Sequence, residues 1–243
     1  MTARLHGAGA LIVGLALWQG LVWLSGAPPF ILPSPWRVAE AAYVHHVLIA
    51  QHALVTMAEI LLGLGLGVVL GVVTAIQLAA SRRLQAVLLP ILVFTQAVPV
   101  FALAPILTLW FGYGMASKIV VVILIIYFPV TSAFFDGLTR VDQRWLDLGT
   151  TMAATDAQVM RRIRIPNALP SLGTGLRLAA VYAPMGAVIG EWVGASKGLG
   201  YLMLLANGRA KIDLMFASLI VLAVLTVLLY RSVGALADRL ARM

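Results

Sequence analysis

Long apolar runs separated by short polar or Pro/Gly-rich breaks dominate the chain. Runs near residues 8–26, 55–80, 85–111, 115–137, 168–192 and 213–235 approach or exceed the roughly 20 apolar residues a helix needs to cross a hydrocarbon core of about 30 Å. This pattern predicts an all-α polytopic membrane protein with six transmembrane helices. Between the first two runs, Pro28, Pro29, Pro33 and Pro35 break any helix, while Ser34 and Pro35 offer an N-cap and a first-turn proline for a short surface helix. The expected organisation is a first span with external linker and surface helix over 1–50, a helical core over 51–236 and a short tail over 237–243.

Composition reinforces this picture. Of 243 residues, 62% are hydrophobic and 11% charged, and the mean hydropathy is +1.00, which no water-soluble core can accommodate. The net charge of +8 suggests nucleic acid at first sight, but the 17 basic residues lie between apolar runs and form no stripe. They read as membrane-flanking charge. Arg4, Arg82, Arg83, Arg140, Arg144, Arg161, Arg162, Arg164, Arg177, Arg231, Arg239 and Arg242 fall on one side of a six-span arrangement, and only Arg37, Lys118, Lys197, Arg209 and Lys211 on the other. The positive-inside rule then predicts both termini in the cytoplasm. Trp18, Trp23, Trp36, Trp110, Trp192 and Tyr113 fall near outer ends, as an aromatic belt would. The segment Ala8–Leu24 follows Arg4 in the manner of a signal peptide, but no small-residue cleavage site precedes Pro28, so a retained helix is expected. With no cysteine, disulfides, thiol catalysis and Cys-ligated metals are excluded.

Within the runs, Gly63, Gly67 and Gly71 form two overlapping small-xxx-small steps for close helix packing. No strand precedes these glycines and no ribose-binding acid follows them, so they are no dinucleotide fingerprint. Pro90, Pro99 and Pro105 fall in the third run, Pro129 in the fourth and Pro184 in the fifth; breaks of this kind suit helices that line a polar path. Counting back from Arg82 puts Glu59 about 35 Å away, and Glu191 lies roughly 30 Å along the fifth run. Both belong at the outer rim, as interfacial carboxylates more than proton relays. Glu191, with Trp192 beside it and the glycine-rich turn 194–200 after it, is a candidate contact at an outer mouth. His45, His46 and His52 lack ligand spacing and read as a surface cluster, so no metal site is expected. No phosphate-binding loop, G-x-S-x-G or H-E-x-x-H pattern occurs, so the chain itself is not expected to be an enzyme.

The polar stretch 141–165 places Trp145, Leu148, Met152, Val159 and Ile163 near one helical face, which predicts amphipathic helix on the inner membrane surface. Thr155 and Gln158 have capping-box spacing, so one helix is expected to end near Ala153-Ala154 and a second to start at Asp156, ending at Pro166 and Pro170. Read from composition, this stretch suits anionic lipid and a docking protein equally.

The stretch also resembles a known motif. Asp147-Leu148-Gly149, three residues, Ala153, nine residues and Ile163-Arg164-Ile165-Pro166 match the spacing of the EAA loop (E-A-A-x3-G-x9-I-x-L-P) of permease subunits of ATP-binding cassette importers. Gln96-Ala97-Val98-Pro99, Trp110-Phe111-Gly112-Tyr113-Gly114 and Gly198-Leu199-Gly200-Tyr201 support the resemblance, which covers roughly residues 50–236. It implies a type I importer permease fold and a coupling loop over 140–166, with Asp147 as the acidic residue, Ala153 at the glycine position, Ile163 and Ile165 at the apolar positions and Pro166 as the proline. Leu148 and Gly149 replace the alanines. If the family's turn uses a left-handed glycine, Ala153 carries strain of about 1 kcal/mol or more.

The resemblance further implies that ATP and Mg bind separate ATPase subunits, none of them on this chain. It also implies an extracytoplasmic substrate-binding protein and a second identical permease chain. Gly190-Glu191-Trp192-Val193-Gly194 with Gly200-Tyr201-Leu202-Met203 looks most like permeases for hydroxymethylpyrimidine, a thiamine precursor; sulfonate, taurine, nitrate and riboflavin permeases are close relatives of these. An ion-coupled secondary carrier, the rival from another class, would need mid-membrane acids and inverted repeats, neither of which the sequence offers.

Overall fold

The computed structural model describes residues 2–242, excepting the side chains of residues 2–8, 10 and 11, so Arg4's side chain lies outside the described residues. The described chain is helical: α1 (Thr2–Ser25), α2 (Pro35–Val44), α3 (His46–Ala80), α4 (Arg82–Ala97), α5 (Val100–Phe111), α6 (Met115–Thr139), α7 (Gln143–Thr151), α8 (Asp156–Val159), a π-helical segment (Met160–Arg164), α9 (Ile165–Gly194), α10 (Leu199–Gly208) and α11 (Ile212–Leu240). Among the described residues, four helical stretches are long and apolar enough to cross a membrane: α3, α6, the continuous run Asp156–Gly194 and α11. The bent pair α4–α5 raises the number to five, and the apolar described part of α1, Ile12–Ser25, is shorter.

The expected third span over 85–111 is thus broken, with a 98° bend between α4 and α5. Of its three prolines only Pro99 breaks the helix; Pro90 and Pro105 are absorbed inside α4 and α5. Proline disfavours helical backbone in the residue before it, and Val98 is extended at φ −87°, ψ 117°. The surface helix forms as its signals suggest, with Ser34 accepting from the Arg37 N–H and Pro35 in the first turn. Helix α10 was not foreseen, because its ten residues follow a run of glycines.

α6 packs between α3 and α9. The three stepped glycines of α3 lie on α6: a Cβ at Gly63 would fall 2.5 Å from Val122, at Gly67 2.6 Å from Ile126 and at Gly71 2.9 Å from Val130. On α9, Ala168, Ala179, Ala180, Ala183 and Ala187 are fully buried in the same core as Val122, Ile126, Val130, Phe134 and Leu138 of α6. Small residues let helix backbones approach where hydrocarbon supplies no hydrophobic drive. α11 closes the other side of α9, with Ala237 against Gly173 and an Arg177–Asp238 ion pair of 2.5 Å.

Most of the expected belt residues are exposed, Trp23, Trp36, Trp110, Tyr113 and Trp192 among them. Trp18 instead turns inward, stacking on Phe216 at 5.9 Å and donating to the Pro33 carbonyl at 3.1 Å. It pins the linker to α1 and α11.

Candidate functional site

Two regions at opposite ends of the helices carry the polar chemistry. The first is a hairpin of α7 and α8. Asp142 starts α7 by accepting from the Arg144 N–H. The helix ends in a paired bond set: Ala154 N–H donates to Gly149 O at 2.9 Å and Ala153 N–H to Thr150 O at 3.0 Å. This is a Schellman ending, which requires a left-handed residue at the first position beyond the cap. That residue is Ala153, at φ +52°. Alanine therefore occupies the conformation glycine favours, and carries the strain anticipated from the sequence.

The next helix begins with a complete capping box: Thr155 accepts from the Gln158 N–H and Gln158 Oε1 from the Thr155 N–H. It does not end at Pro166 or Pro170. It continues into α9 as one 39-residue helix. Proline inside an α-helix clashes with the carbonyl four residues earlier; here the turn just before it widens to π geometry, with Ile165 N–H reaching back to Met160 O. Pro166 then sits in the first turn of α9.

Trp145, Leu148, Met152, Val159 and Ile163 do converge, although not on one helix. The hairpin folds α7 onto the second helix, and these five side chains line a cleft of ≈ 600 Å³ together with Val141, Gly149 and Arg162. Gly149 is the close-approach point, where a Cβ would meet Val159 at 3.3 Å and Ile163 at 3.5 Å. Trp145 and Met152 are 58% and 73% exposed, so the cleft presents apolar surface outward. Asp147 is exposed and accepts from Gln143 Nε2 at 2.9 Å. Ile165 is half-buried and packs on the core.

The second region is buried where the sequence suggested an exposed rim. Glu59, Lys118 and Glu191 are 2%, 2% and 1% exposed. Glu191 Oε1 accepts from the Thr56 hydroxyl at 2.6 Å and Oε2 from the Gly200 N–H at 2.5 Å. Thr56 Oγ1 accepts in turn from the Leu199 N–H at 2.7 Å, and His52 Nδ1 from the Gly198 N–H at 2.9 Å. The first N–H groups of a helix lack intrahelical partners; those of α10 are satisfied by side chains of α3 and α9. Gly198 itself has φ +115°, and a Cβ there would fall inside the Glu191 carboxylate.

Lys118 mirrors this arrangement. Its Nζ donates to Tyr113 O at 2.6 Å, Gly114 O at 2.8 Å and Gly194 O at 2.5 Å, gathering carbonyls at the start of α6 and the end of α9. A cation at a helix C-terminus and an anion at an N-terminus both suit the helix dipole. The Glu59 carboxyl lies within hydrogen-bond reach of that of Glu191, and beyond that neighbour its buried Oε2 has no partner among the described residues.

Four expectations change here. Glu59 and Glu191 are interior, and Lys118 is no exposed membrane-flanking charge. His52 is not part of a surface cluster: it caps α10 and stacks on Tyr201 at 5.9 Å, while His46 bonds the Tyr43 carbonyl. Glu191 and Trp192 also part company, since neighbouring residues on a helix point about 100° apart; Glu191 faces inward and Trp192 is 48% exposed. Nearby, outside the spans, Arg37 pairs with Asp213 at 2.9 Å, and that hydrogen bond, then the Asp213 charge, raises the guanidinium pKa above its ordinary value. Among the described residues no group of three His, Asp or Glu is placed to hold a metal.

Residues 67–242 match the family model described as binding-protein-dependent transport system inner membrane component. A probable ABC transporter permease protein of Haemophilus influenzae is 52% identical over 231 residues, 94% of each chain. The formylaminopyrimidine transport permease protein ThiX of Halalkalibacterium halodurans is 39% identical over 188 residues, 77% of this chain and 75% of that one. Permeases named for riboflavin and taurine transport, from Chloroflexus aurantiacus and Escherichia coli, are 36% and 30% identical. A chain of the MetNI methionine ABC transporter, solved in inward-facing conformations, shares the fold with TM-score 0.71 at 19% identity, covering 81% of this chain and 97% of that one. With the helical membrane architecture and the Asp147–Pro166 hairpin, these matches make the chain a member of the binding-protein-dependent inner membrane component family, the permease component of an ABC importer.

Proposed function

We propose that the chain forms the membrane path of an importer for a small pyrimidine of the thiamine-precursor type, driven by ATPase subunits that dock on the α7–α8 hairpin. The observation that supports coupling through this hairpin is its construction: a strained left-handed turn at Ala153 and a capping box at Thr155 hold two short helices around an outward-facing apolar cleft. The second helix then runs unbroken into a membrane span. A partner that grips the hairpin moves α9 with it, and a differential affinity for two positions of the hairpin shifts the equilibrium between inward- and outward-open states. In this reading the hairpin and both termini face the cytoplasm. A second copy of the chain completes the path, and an extracytoplasmic binding protein delivers the solute. The similarity to the formylaminopyrimidine permease supports the pyrimidine; the riboflavin and taurine relatives define the alternatives.

The test is co-purification and uptake. The detergent-solubilised protein should bring an ATPase subunit with it, and Asp147→Arg should lower uptake by at least about tenfold, the effect of losing a charged contact at a docking site. Intact uptake in that variant, or no ATPase in the complex, sinks the coupling role. Mass spectrometry of the ligand held by the partner binding protein should find a pyrimidine; a sulfonate or a flavin there refutes the substrate assignment alone.

A further inference from the structure

The outward faces of the long helices are not alike. Within its span α3 exposes Leu62, Leu66, Val69 and Val73, and α11 exposes Ile220, Val224, Val227 and Leu228. Purely aliphatic faces of this kind suit hydrocarbon. Helix α9 differs: α3, α5, α6, α10 and α11 all pack on it, yet it keeps an exposed stripe of Leu178, Val181, Tyr182, Met185 and Trp192, at offsets that stay on one side of a helix. Tyr182 lies about 18 Å along the helix from Gly194 and about 24 Å from Pro166 at 1.5 Å per residue, which sets its hydroxyl at mid-depth. Elsewhere in the spans such groups are paired: the Tyr127 hydroxyl donates to Thr74 at 2.7 Å and the Thr95 hydroxyl to the Leu92 carbonyl at 2.6 Å. Among the described residues no such bond engages Tyr182.

The break between α4 and α5 carries the same signature. Gln96, about 21 Å along α4 from Arg82, is exposed together with Ala97 and Pro99, and its amide has no hydrogen-bond partner among the described residues. The backbone leaves the helix at Val98, and the two helices are bent by 98°. Lipid offers no hydrogen bond to a hydroxyl, an amide or an open turn, and irregular backbone at membrane depth persists only inside protein or beside water. Water is the covering that satisfies all three. The stripe and the bend contain no Lys or Arg, and Arg177, beside the stripe, is engaged by Asp238.

We propose that this face of α9 and the α4–α5 bend line a water-filled path, and that Tyr182 and Gln96 are the residues that touch the solute within it. The phenol ring gives a heteroaromatic ring a flat surface to stack on, and the primary amide offers both donors and an acceptor to ring nitrogens and amino groups. With no free cation at the same level, the lining suits a neutral planar heterocycle and gives a sulfonate no charge-assisted partner. The solute class rests on the importer reading and narrows it; the wetting of the face does not depend on it.

The chain has no cysteine, so single thiols report on each face. In liposomes holding the complex with its ATPase subunits, and with a charged methanethiosulfonate on both sides, Tyr182→Cys and Gln96→Cys should react about a hundredfold faster than Leu66→Cys and Val224→Cys, the ratio that the cost of a charge in hydrocarbon implies. Equal rates overturn the path, whether lipid or a second copy of the chain covers the face. Uptake of hydroxymethylpyrimidine should fall about tenfold in Tyr182→Leu, the effect of losing one stacked aromatic, with the complex assembled and its ATP hydrolysis retained. Tyr182→Phe, which keeps the ring and drops the hydroxyl, should fall between that variant and the parent. Gln96→Leu should lose uptake to a similar degree. Reactive thiols with parental uptake in both leucine variants overturn the contact role, and so does loss of assembly in both, which marks residues of the fold. A sulfonate carried at the parental rate by Tyr182→Leu and Gln96→Leu refutes the heterocycle and leaves the wet path standing. Absence of an ATPase subunit counts against the importer reading, whereas the thiol rates of the chain by itself still decide whether the face meets water.

Discussion

The two polar regions solve the same problem in opposite ways. Helices α7 and α8 take their caps from within a few residues: Asp142 for Arg144, Thr155 and Gln158 for each other, and the Ala153 turn for the end of α7. Helix α10 takes its caps from afar, with Thr56 143 residues from Leu199 and His52 146 residues from Gly198. A local cap forms whenever its segment turns helical, so the hairpin can hold its shape on the surface. A distant cap exists only once the bundle has assembled, so α10 reports on the packing of α3 and α9. The hairpin is built to present a surface, the cluster to register one helix end against another.

Substitutions that separate these two modes should differ greatly in size. Gly198→Ala should be the most damaging, because its φ of +115° and the Glu191 carboxylate both exclude a Cβ. Strain alone is about 1–3 kcal/mol, and the folded fraction in detergent should fall sharply with a lowered melting temperature. Glu191→Leu should follow closely: the Thr56 hydroxyl and the Gly200 N–H lose their acceptor, at about 1–3 kcal/mol each. Glu191→Gln, which keeps one acceptor oxygen, should recover much of that loss in the same thermal assay. If Glu191→Leu melts like the parent, distant capping is not what holds α10.

On the hairpin, Thr155→Ala removes one local cap, costs about 1 kcal/mol and should speed amide exchange over α8 while leaving α10 protected. The smallest effect should be a gain. Ala153→Gly relieves a left-handed alanine and should stabilise by about 0.5–1 kcal/mol. Ala210 at φ +54° ends α10 in the same way, with Lys211 N–H to Ala206 O at 2.8 Å and Ala210 N–H to Asn207 O at 3.0 Å. Ala210→Gly should give a matching increment, measured as a rise in melting temperature. A loss at either position would show that alanine is not strained there.

The same contrast explains what could be read from the sequence. Capping boxes, proline breaks and stepped glycines are local signals, and Thr155-x-x-Gln158, Ser34-Pro35 and Gly63-x3-Gly67-x3-Gly71 each mark what the structure builds there. The strain at Ala153 was legible too, because the motif spacing put alanine where the turn needs a left-handed residue. The buried cluster was not. Depth along a helix places Glu59 and Glu191 near its far end, but depth is silent about whether a side chain faces water or a neighbour. The signal that could have found the cluster was the density of glycines around Glu191, at 190, 194, 198 and 200, since space kept free of Cβ atoms implies something bulky filling it. The continuity of the hairpin with α9 was missed for another reason: Pro166 argues for a stop unless the turn before it opens by one residue, and no residue in Met160–Arg164 announces that.

That one widened turn also sets the phase of the whole span. An extra residue in a helical turn rotates everything beyond it by about 100°, so the side on which Trp145 and Met152 gather is locked to the side on which Ala179 and Ala183 meet α6 by a count of residues, not by a hinge. Deleting a single residue between Met160 and Arg164 would leave every contact partner present and turn the hairpin by about 100° relative to the span.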